Sequence, residues 1–431
     1  MVQQTEVVET KVLVTRLKVG MYVCRLDCSW LDTPYTMQGF LVNTEDDIDE
    51  VRRYCEHVFI DEKRSVMSHR RVNYSYLEPM VKGAALERLN ALGFRRMREH
   101  GRPILMPVIY PTAIELAKEL PRARAVWKQA RVVVNQCIAR AKADKPISVE
   151  EIENAVEPVI ESVVRSPDAA MWLAAQRRTD PYPTSHPLNC CAIVIVFARF
   201  LGFPPEILLA LAKAAWLFDI GMWRLGQNYY IDRETKDPTG KEQIREHVLV
   251  GLDFLRKSEF MDPDALLAIL HHHEQHDGNG YPRQIRGERV SLMGFMLQIA
   301  DTFDALCSKR SYSPEHTLQY AQQALHQDRD IKYPAEVVEA FVQSLGVYPT
   351  GSLVELSNGE IAAVSGQSLQ SRLYPRLVPL TFPDRQMRTE FREIDSSVLI
   401  QRPVPIKIAR GVPTNTITVR LDQIELTANS G

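Results

Sequence analysis

Histidine is the residue whose distribution most clearly points to chemistry in this chain. Six of the eleven histidines lie within residues 186–276, together with or close to four aspartates. Imidazole and carboxylate are the ligands that suit Zn, Mn and Fe. Any single histidine could equally be a core or surface residue, but the set favours a metal centre. The residues are His186, His247, His271, His272, His273, His276, Asp219, Asp277, Asp301 and Asp304.

The densest part of this set is the segment HHHEQHDGNGYP, which begins at His271. Adjacent His272 and His273 cannot share one helix face, so they should point to neighbouring positions. The two glycines and the proline that follow predict a tight, ordered loop. Downstream, the segment ADTFDAL places two aspartates among apolar residues, where a carboxylate is costly to bury unless it is paired or bound to a metal.

Helices must position these groups. Ser148 and Glu151 form a predicted capping box, and from there to about Gly346 apolar residues recur at helical spacing. Helices can project metal ligands inward into a shared core. The predicted fold is therefore mostly α, with β-rich segments at both ends. The predicted units are a small mixed α/β domain (1–68), a helical linker region (69–147), a helical domain (148–346) and a β-rich C-terminal extension (347–431).

The flanking units carry weaker signals. KVLVTRLKVGMYVCRLD and HVFID alternate as strands do, and a short charged helix is predicted between them. The linker region contains Arg95, Arg96 and Arg98, which favour a solvated helix face over a phosphate or partner surface. Pro121 predicts a helix break. Asn358 and Gly359 predict a hairpin turn in the C-terminal extension.

Composition excludes several classes of protein. With 431 residues, 45% of them hydrophobic and 25% charged, the chain resembles an ordinary soluble protein of several domains. A net charge of −2 gives no support for binding a nucleic acid polymer. No apolar run approaches the roughly 20 residues of a membrane span, and no secretory signal is visible. Seven scattered cysteines fit reduced thiols in a cytoplasm, and Cys24 with Cys28 makes a poor metal site because further ligands at zinc spacing are missing.

The motif His272-His273-Glu274 followed by Asp277-Gly278-Asn279-Gly280-Tyr281-Pro282 resembles the signature of the bacterial HD-GYP family. Members of that family are metal-dependent phosphodiesterases that hydrolyse cyclic di-GMP. The segments IADTFDAL, SHPLN and the HxxxG formed by His247 and Gly251 resemble further family motifs. The likeness extends to the N-terminal domain and the C-terminal β extension, and it implies an all-helical HD-superfamily core.

The resemblance implies a divalent metal, Fe or Mn, held by a defined set of residues. That set is His186, Asp219, His247, His272, His273 and Asp301. The family's HDIGK motif is Phe218-Asp219-Ile220-Gly221-Met222 here, so its His and Lys are lost. We therefore expect a weakened first ion site and an intact second one, with one ion rather than two.

The resemblance also implies roles for residues near the metal. Asp219 would be the bridging catalytic carboxylate, and Glu274 and Asp277 would assist or order the loop. Lys309, Arg310 and Tyr281 would contact the substrate. Trp216 and Trp223 favour core packing over a guanine-stacking pocket. His271 and His276 favour an exposed helix end over substitute ligands.

Three functions fit these features. The first is a weakened cyclic di-GMP phosphodiesterase. The second is an inactive regulator that binds cyclic di-GMP, or a diguanylate cyclase of the GGDEF type through the GYP surface. The third is a hydrolase for another phosphoester. The sequence leaves a homodimer open and predicts a cytoplasmic protein.

Overall fold

The computed structural model describes thirteen stretches of the chain, and everything below concerns these residues. They are residues 9–18, 21–28, 33, 39–42, 45–61, 108–111, 113–176, 182–226, 244–308, 316–367, 374–417, 421–424 and 426–427. The fold is mostly helical with a strand sheet at each end, which confirms the predicted class. No helix in these stretches is long and apolar enough to cross a membrane.

The N-terminal unit is a four-stranded antiparallel sheet with one helix. Its strands are β1 (Glu9–Leu13), β2 (Tyr22–Leu26), β3 (Phe40–Leu41) and β4 (His57–Asp61), and its helix is α1 (Glu45–Arg52). The spatial order is β1-β4-β2-β3, with Leu26 opposite Val58. Alternating apolar residues of β2 and β4 face a small core with Val51 of α1. Strands β1, β2 and β4 and the helix lie where the sequence pattern predicts them, whereas β3 was not predicted.

The central unit is a bundle of helices around the main hydrophobic core. Its helices are α2 (Leu116–Lys142), α3 (Val149–Arg165), α4 (Pro167–Ala175), α5 (Tyr182–Phe200), α6 (Pro205–Leu217), α7 (Ile220–Leu225), α8 (His247–Lys257), α9 (Pro263–His271), α10 (Leu292–Cys307), α11 (Leu318–Gln327) and α12 (Ala335–Leu345). The Ser148 hydroxyl accepts the backbone N–H of Glu151 at 3.2 Å, as in the predicted cap.

Helix α2 differs from the sequence expectation in two ways. It runs unbroken through Pro121, although a proline at this position removes one hydrogen bond of the helix. Its buried face, including Trp127 and Val134, belongs to the main core. Residues 116–142 are therefore part of the helical unit rather than a linker. The three predicted linker arginines lie outside the described residues.

The C-terminal unit is a five-stranded antiparallel sheet in the order β10-β5-β6-β7-β9, with a short β8–β11 pair and helix α13 (Ser396–Ile400). The strands are β5 (Leu353–Leu356), β6 (Ile361–Gly366), β7 (Arg376–Pro379), β8 (Phe391–Arg392), β9 (Ile394–Asp395), β10 (Ile408–Val412) and β11 (Leu426–Thr427). Asn358 and Gly359 lie in the predicted β5–β6 hairpin, and Gly359 has a φ of 91°.

This sheet packs directly on the helical unit. The fully buried Trp172 of α4 shares an apolar cluster with Leu353 and Val378 of the sheet. Beside it, the Asp168 carboxylate accepts the Thr350 hydroxyl at 2.7 Å and the Arg376 guanidinium at 2.8 Å. The C-terminal extension is therefore joined to the bundle by apolar packing and a partly buried ion pair.

Helices α7 and α8 pack so closely that glycine is required between them. A Cβ on Gly221 would overlap the carbonyl oxygen of His247, whereas one on Gly251 would lie 3.2 Å from the Gly221 nitrogen. This approach brings the start of α8 next to Asp219, which precedes α7.

We expect Gly221→Ala to destabilise the protein by roughly 3 kcal/mol, because rigid backbone must move to admit the methyl group. Gly251→Ala is the matched control. There the gain in helix propensity, about 1 kcal/mol, should offset the milder crowding. Urea unfolding of both variants measures the difference. Equal midpoints for the two would contradict the proposed helix contact.

Candidate metal centre

Four side chains from three parts of the chain converge at one place. They are Asp219 between α6 and α7, His247 at the start of α8, and His272 and His273 just after α9. One donor atom from each lies within 4.8 Å of the others. The Asp219 Oδ1 is 3.5 Å from His247 Nε2, and that nitrogen is 3.4 Å from His272 Nε2. The first three residues are almost fully buried, and His273 is partly exposed.

The hydrogen bonds of two of these histidines orient their rings for metal binding. His247 Nδ1 is 2.6 Å from the carbonyl of Ile244, and His272 Nδ1 is 2.6 Å from the carbonyl of Ile269. A carbonyl can only accept, so each Nδ1 carries the hydrogen and each neutral ring keeps its lone pair on Nε2. The two Nε2 atoms are 3.4 Å apart, and either a proton or a metal ion between them would remove the repulsion of their lone pairs. A backbone acceptor on the second nitrogen is typical of metal-binding histidine.

A second buried group lies on the other side of Asp219. His186 Nε2 is 3.0 Å from Asp301 Oδ1 and 3.8 Å from Asp219 Oδ2. His186 Nδ1 is 2.7 Å from Asp304 Oδ2, whose other oxygen accepts the Asn189 amide at 3.0 Å. The two oxygens of Asp219 therefore face different groups, Oδ1 towards His247 and Oδ2 towards His186. This is the arrangement that a bridging carboxylate requires.

Phe218 occupies the space between the two groups. Its side chain is 1% exposed, and its ring meets the His186 and His272 rings edge to face, with centroids 5.6 and 5.1 Å away. An aromatic ring offers no nitrogen lone pair, so this position contributes packing and no ligand. Met222 is also 1% exposed and belongs to the main core, which gives its position no charge.

The loop after His273 is held together by carboxylates. Glu274, which is fully buried, accepts the backbone N–H groups of Arg283 and Ile285 at 2.6 and 3.1 Å. Asp277 accepts the N–H and the side-chain amide of Asn279 at 2.9 and 2.7 Å. These bonds favour the loop-ordering role for both residues. Direct participation of either in proton transfer stays a prediction.

Tyr281 lies at the partly exposed side of the centre. Its ring stacks on His273 with the centroids 4.6 Å apart, and the guanidinium of Arg245 lies 5.4 Å from the Tyr281 ring centroid. Glycine is required at position 280 for the loop to pass this close to His273, because a Cβ there would lie 2.5 Å from the His273 carbonyl oxygen. The loop thus places an aromatic face and a cation beside the exposed imidazole.

Other predicted residues lie in varied surroundings. His271 is buried, and its Nδ1 accepts the N–H of Ser291 at 3.0 Å, which corrects the expectation of an exposed helix end. His276 is partly buried beside Phe295. Trp216 and Trp223 belong to the main core, as the packing interpretation predicts. Lys309 and Arg310 lie outside the described residues.

Sequence reasoning missed three residues near the centre, namely Asn189, Cys190 and Arg245. Cys190 Sγ is 3.6 Å from His186 Nδ1, one helical turn away on α5. Burial raises the pKa of the Cys190 thiol to about 12, so it remains protonated at neutral pH. The spacing of residues 186, 189 and 190 on one helix face is the signal that could have found two of them.

The donor set fits a divalent transition metal. Three imidazoles and one carboxylate in a buried, preoriented group suit Mn, Fe or Zn, and oxygen-preferring Ca²⁺ would choose other ligands. The residues that would hold the ion are Asp219, His247, His272 and His273. His186 and Asp301 offer one nitrogen and one carboxylate to a second ion beside Asp219.

Comparison with known proteins agrees with this site. Residues 9–152 match the family model described as a domain of unknown function (DUF3391), and residues 161–337 match the HD domain. Cyclic di-GMP phosphodiesterase PA4108 of Pseudomonas aeruginosa is 28% identical over 374 residues, which are 85% of this chain and 84% of that relative. The helical unit is thus similar to HD-domain proteins, as the motifs of the sequence predict.

Two other relatives match over shorter spans. A cyclic di-GMP phosphodiesterase of Thermotoga maritima is 30% identical over 148 residues, 34% of this chain and 40% of that relative. The 3'3'-cGAMP-specific phosphodiesterase 3 of Vibrio cholerae is 30% identical over 173 residues, 39% of this chain and 36% of that relative. Their names differ in the cyclic dinucleotide that they specify.

We expect His247→Gln and His272→Gln each to weaken Mn²⁺ binding by a factor on the order of 100 or more, because each removes a preoriented nitrogen ligand. His276→Gln is the matched control, since it changes a neighbouring histidine outside the cluster. Isothermal titration with Mn²⁺ on metal-stripped protein measures the effect. Equal affinities for all three variants would rule out this cluster as the binding site.

Proposed function

We propose that this chain is a metal-dependent phosphodiesterase that hydrolyses cyclic di-GMP and works with a single Fe or Mn ion. The observation that carries the proposal is the facing pair of Nε2 atoms of His247 and His272, 3.4 Å apart, with both Nδ1 atoms bound to backbone carbonyls. Both Nε2 atoms point to one place beside Asp219, as two ligands of a single ion would. It lies in a domain whose relatives are named phosphodiesterases.

Cyclic di-GMP is the proposed substrate because of the relative named for it. That relative matches across 85% of this chain, including the flanking units, whereas the cGAMP-specific relative matches over 39%. A guanine base presents a flat face, and the stacked Tyr281 and His273 rings offer a matching aromatic surface. Lys309 and Arg310 are proposed as additional phosphate contacts.

The residues of the metal centre would each have a different role in hydrolysis. The ion, when bound, supplies Lewis-acid chemistry to the phosphoryl group and acidifies water. Asp219 holds the two halves of the site together through its two oxygens. His247 and His272 keep their Nε2 atoms fixed without reorganisation, because their Nδ1 atoms are anchored to the backbone. Glu274 fixes the loop that presents Tyr281.

Turnover should be slow. Phe218 offers no nitrogen ligand on the His186 side of Asp219. His186 and Asp301 remain there as possible ligands besides Asp219. Met222 removes a cation that could stabilise developing negative charge, an effect that can be worth several kcal/mol. Both positions are filled by buried apolar side chains, which supply neither a ligand nor a charge.

A second function is favoured by the same two residues. Phe218 and Met222 are both packed into the protein interior, so the changed motif is a well-formed part of the fold. Such a domain could bind cyclic di-GMP without hydrolysing it, or bind a diguanylate cyclase through the GYP loop. In that case the ion and the loop would serve recognition alone.

The substitution Phe218→His tests the proposal, because it restores a ligand at a position that is already enclosed. We expect turnover of cyclic di-GMP to rise at least roughly tenfold, about 1.4 kcal/mol in barrier, and Fe or Mn content to move from one towards two per chain. Phe218→Leu is the control that opens space without adding a ligand.

Parallel assays with cyclic di-GMP and 3'3'-cGAMP separate the candidate functions. Hydrolysis of cyclic di-GMP by the native chain that stops after Asp219→Asn supports the enzyme. Cyclic di-GMP binding without hydrolysis, in the native chain and in Phe218→His alike, supports the regulator and contradicts the enzyme. Preference for 3'3'-cGAMP would overturn the proposed substrate.

A further inference from the structure

Two thiols meet at one end of the N-terminal sheet. Cys28 lies just beyond β2, and Cys55 lies just before β4, and these strands pair antiparallel with Leu26 opposite Val58. The pairing brings the end of one strand beside the start of the other. The two Sγ atoms are consequently 3.4 Å apart, and both cysteines are free.

A carboxylate completes a group of three possible ligands. One oxygen of Asp27 lies within 4.8 Å of both sulfurs. Asp27 Oδ2 accepts the backbone N–H groups of Glu56 and His57 at 3.0 and 2.9 Å, so the side chain is held in place. The carboxylate also accepts a hydrogen bond from the Cys55 thiol, and a cation bound to both groups would replace that hydrogen. Hydrogen-bonded carboxylates of this kind are typical of ligands in metal sites.

A fourth donor lies next to this group. His57 Nδ1 is 3.0 Å from Asp27 Oδ2, and the His57 side chain is partly exposed. The contact with Asp27 places the His57 imidazole beside the group. The donors are thus two sulfurs, one oxygen and one nitrogen.

We propose that Asp27, Cys28 and Cys55 form a Zn²⁺ site, with His57 or water as the fourth ligand. Thiolate and imidazole are the ligands that Zn²⁺ prefers in tetrahedral sites. With Zn–S bonds of about 2.3 Å, two sulfurs of a tetrahedron lie about 3.8 Å apart, so the observed pair needs to separate by only a few tenths of an ångström. The site lies in the N-terminal unit and is independent of the phosphodiesterase proposal.

The charge of the neighbouring carboxylate favours a bound cation at this place. The negative charge of Asp27 opposes a free thiolate but attracts a divalent ion. A bound ion deprotonates its thiol ligands outright. A bound ion would link the end of β2 to the start of β4.

Cobalt substitution tests the site separately from the helical domain, because only thiolate ligands give Co²⁺ an intense near-ultraviolet charge-transfer band. We expect reduced, metal-stripped full-length protein to develop this band with one Co²⁺ per chain, and Zn²⁺ to abolish it. Cys28→Ser and Cys55→Ser should each reduce the band by half or more.

Two control variants define the source of the band. Cys24→Ser changes a thiol on β2 that contacts the Phe59 carbonyl, and Cys190→Ser changes the thiol beside His186. Both should keep the full band. Loss of the band in Cys190→Ser with retention in Cys28→Ser would move the thiolate site to the helical domain and overturn the proposal.

Two measurements on the native chain keep the test valid if a serine variant fails to fold. Zn²⁺ should slow hydrogen exchange of β2 and β4 amides in the reduced protein. Absence of both the thiolate band and this protection would mean that the thiols only pack in the small core. Rapid loss of two hydrogens by mass under mild peroxide, with no thiolate band from the reduced protein, would establish a disulfide instead.

Discussion

The position of one carboxylate, that of Asp219, governs the rest of the site. It is 3% exposed, and its two oxygens face His247 on one side and His186 on the other. A buried carboxylate among imidazoles is costly unless a cation balances it. The close contact of Gly221 with the start of α8 sets this geometry, because it brings the junction before α7 against His247. Helix packing, rather than loop flexibility, therefore determines where a metal can bind.

The two sides of Asp219 are unequal, and Phe218 is the reason. On one side three imidazoles approach the carboxylate. On the other, His186 is engaged by Asp301 and Asp304, and the Phe218 ring fills the space where a further ligand would lie. The helical unit thus contains one complete ligand group, while the other group is packed as part of the core. This asymmetry is the physical basis for expecting slow, single-ion chemistry.

Much of the fold and of the candidate site could be predicted from the sequence. The features that could not be predicted all depend on contacts between distant parts of the chain. Helical periodicity, the Ser148 cap and the Asn358-Gly359 turn predicted local structure, because local backbone preferences decide those features. The HHE and GYP segments identified the family. The membership of α2 in the main core and the burial of His271 depend on contacts between distant segments. The contacts of Asn189 with Asp304 and of Cys190 with His186 also depend on the folded structure.

The most direct test of the account is iron and manganese content measured together with cyclic di-GMP hydrolysis on one anaerobically purified sample, before and after chelation. The account predicts close to one Fe or Mn per chain, slow hydrolysis, its loss on chelation and its return in proportion to the metal restored. Hydrolysis that persists undiminished in metal-stripped protein would contradict the central claim. So would a native sample that binds neither metal and shows no hydrolysis.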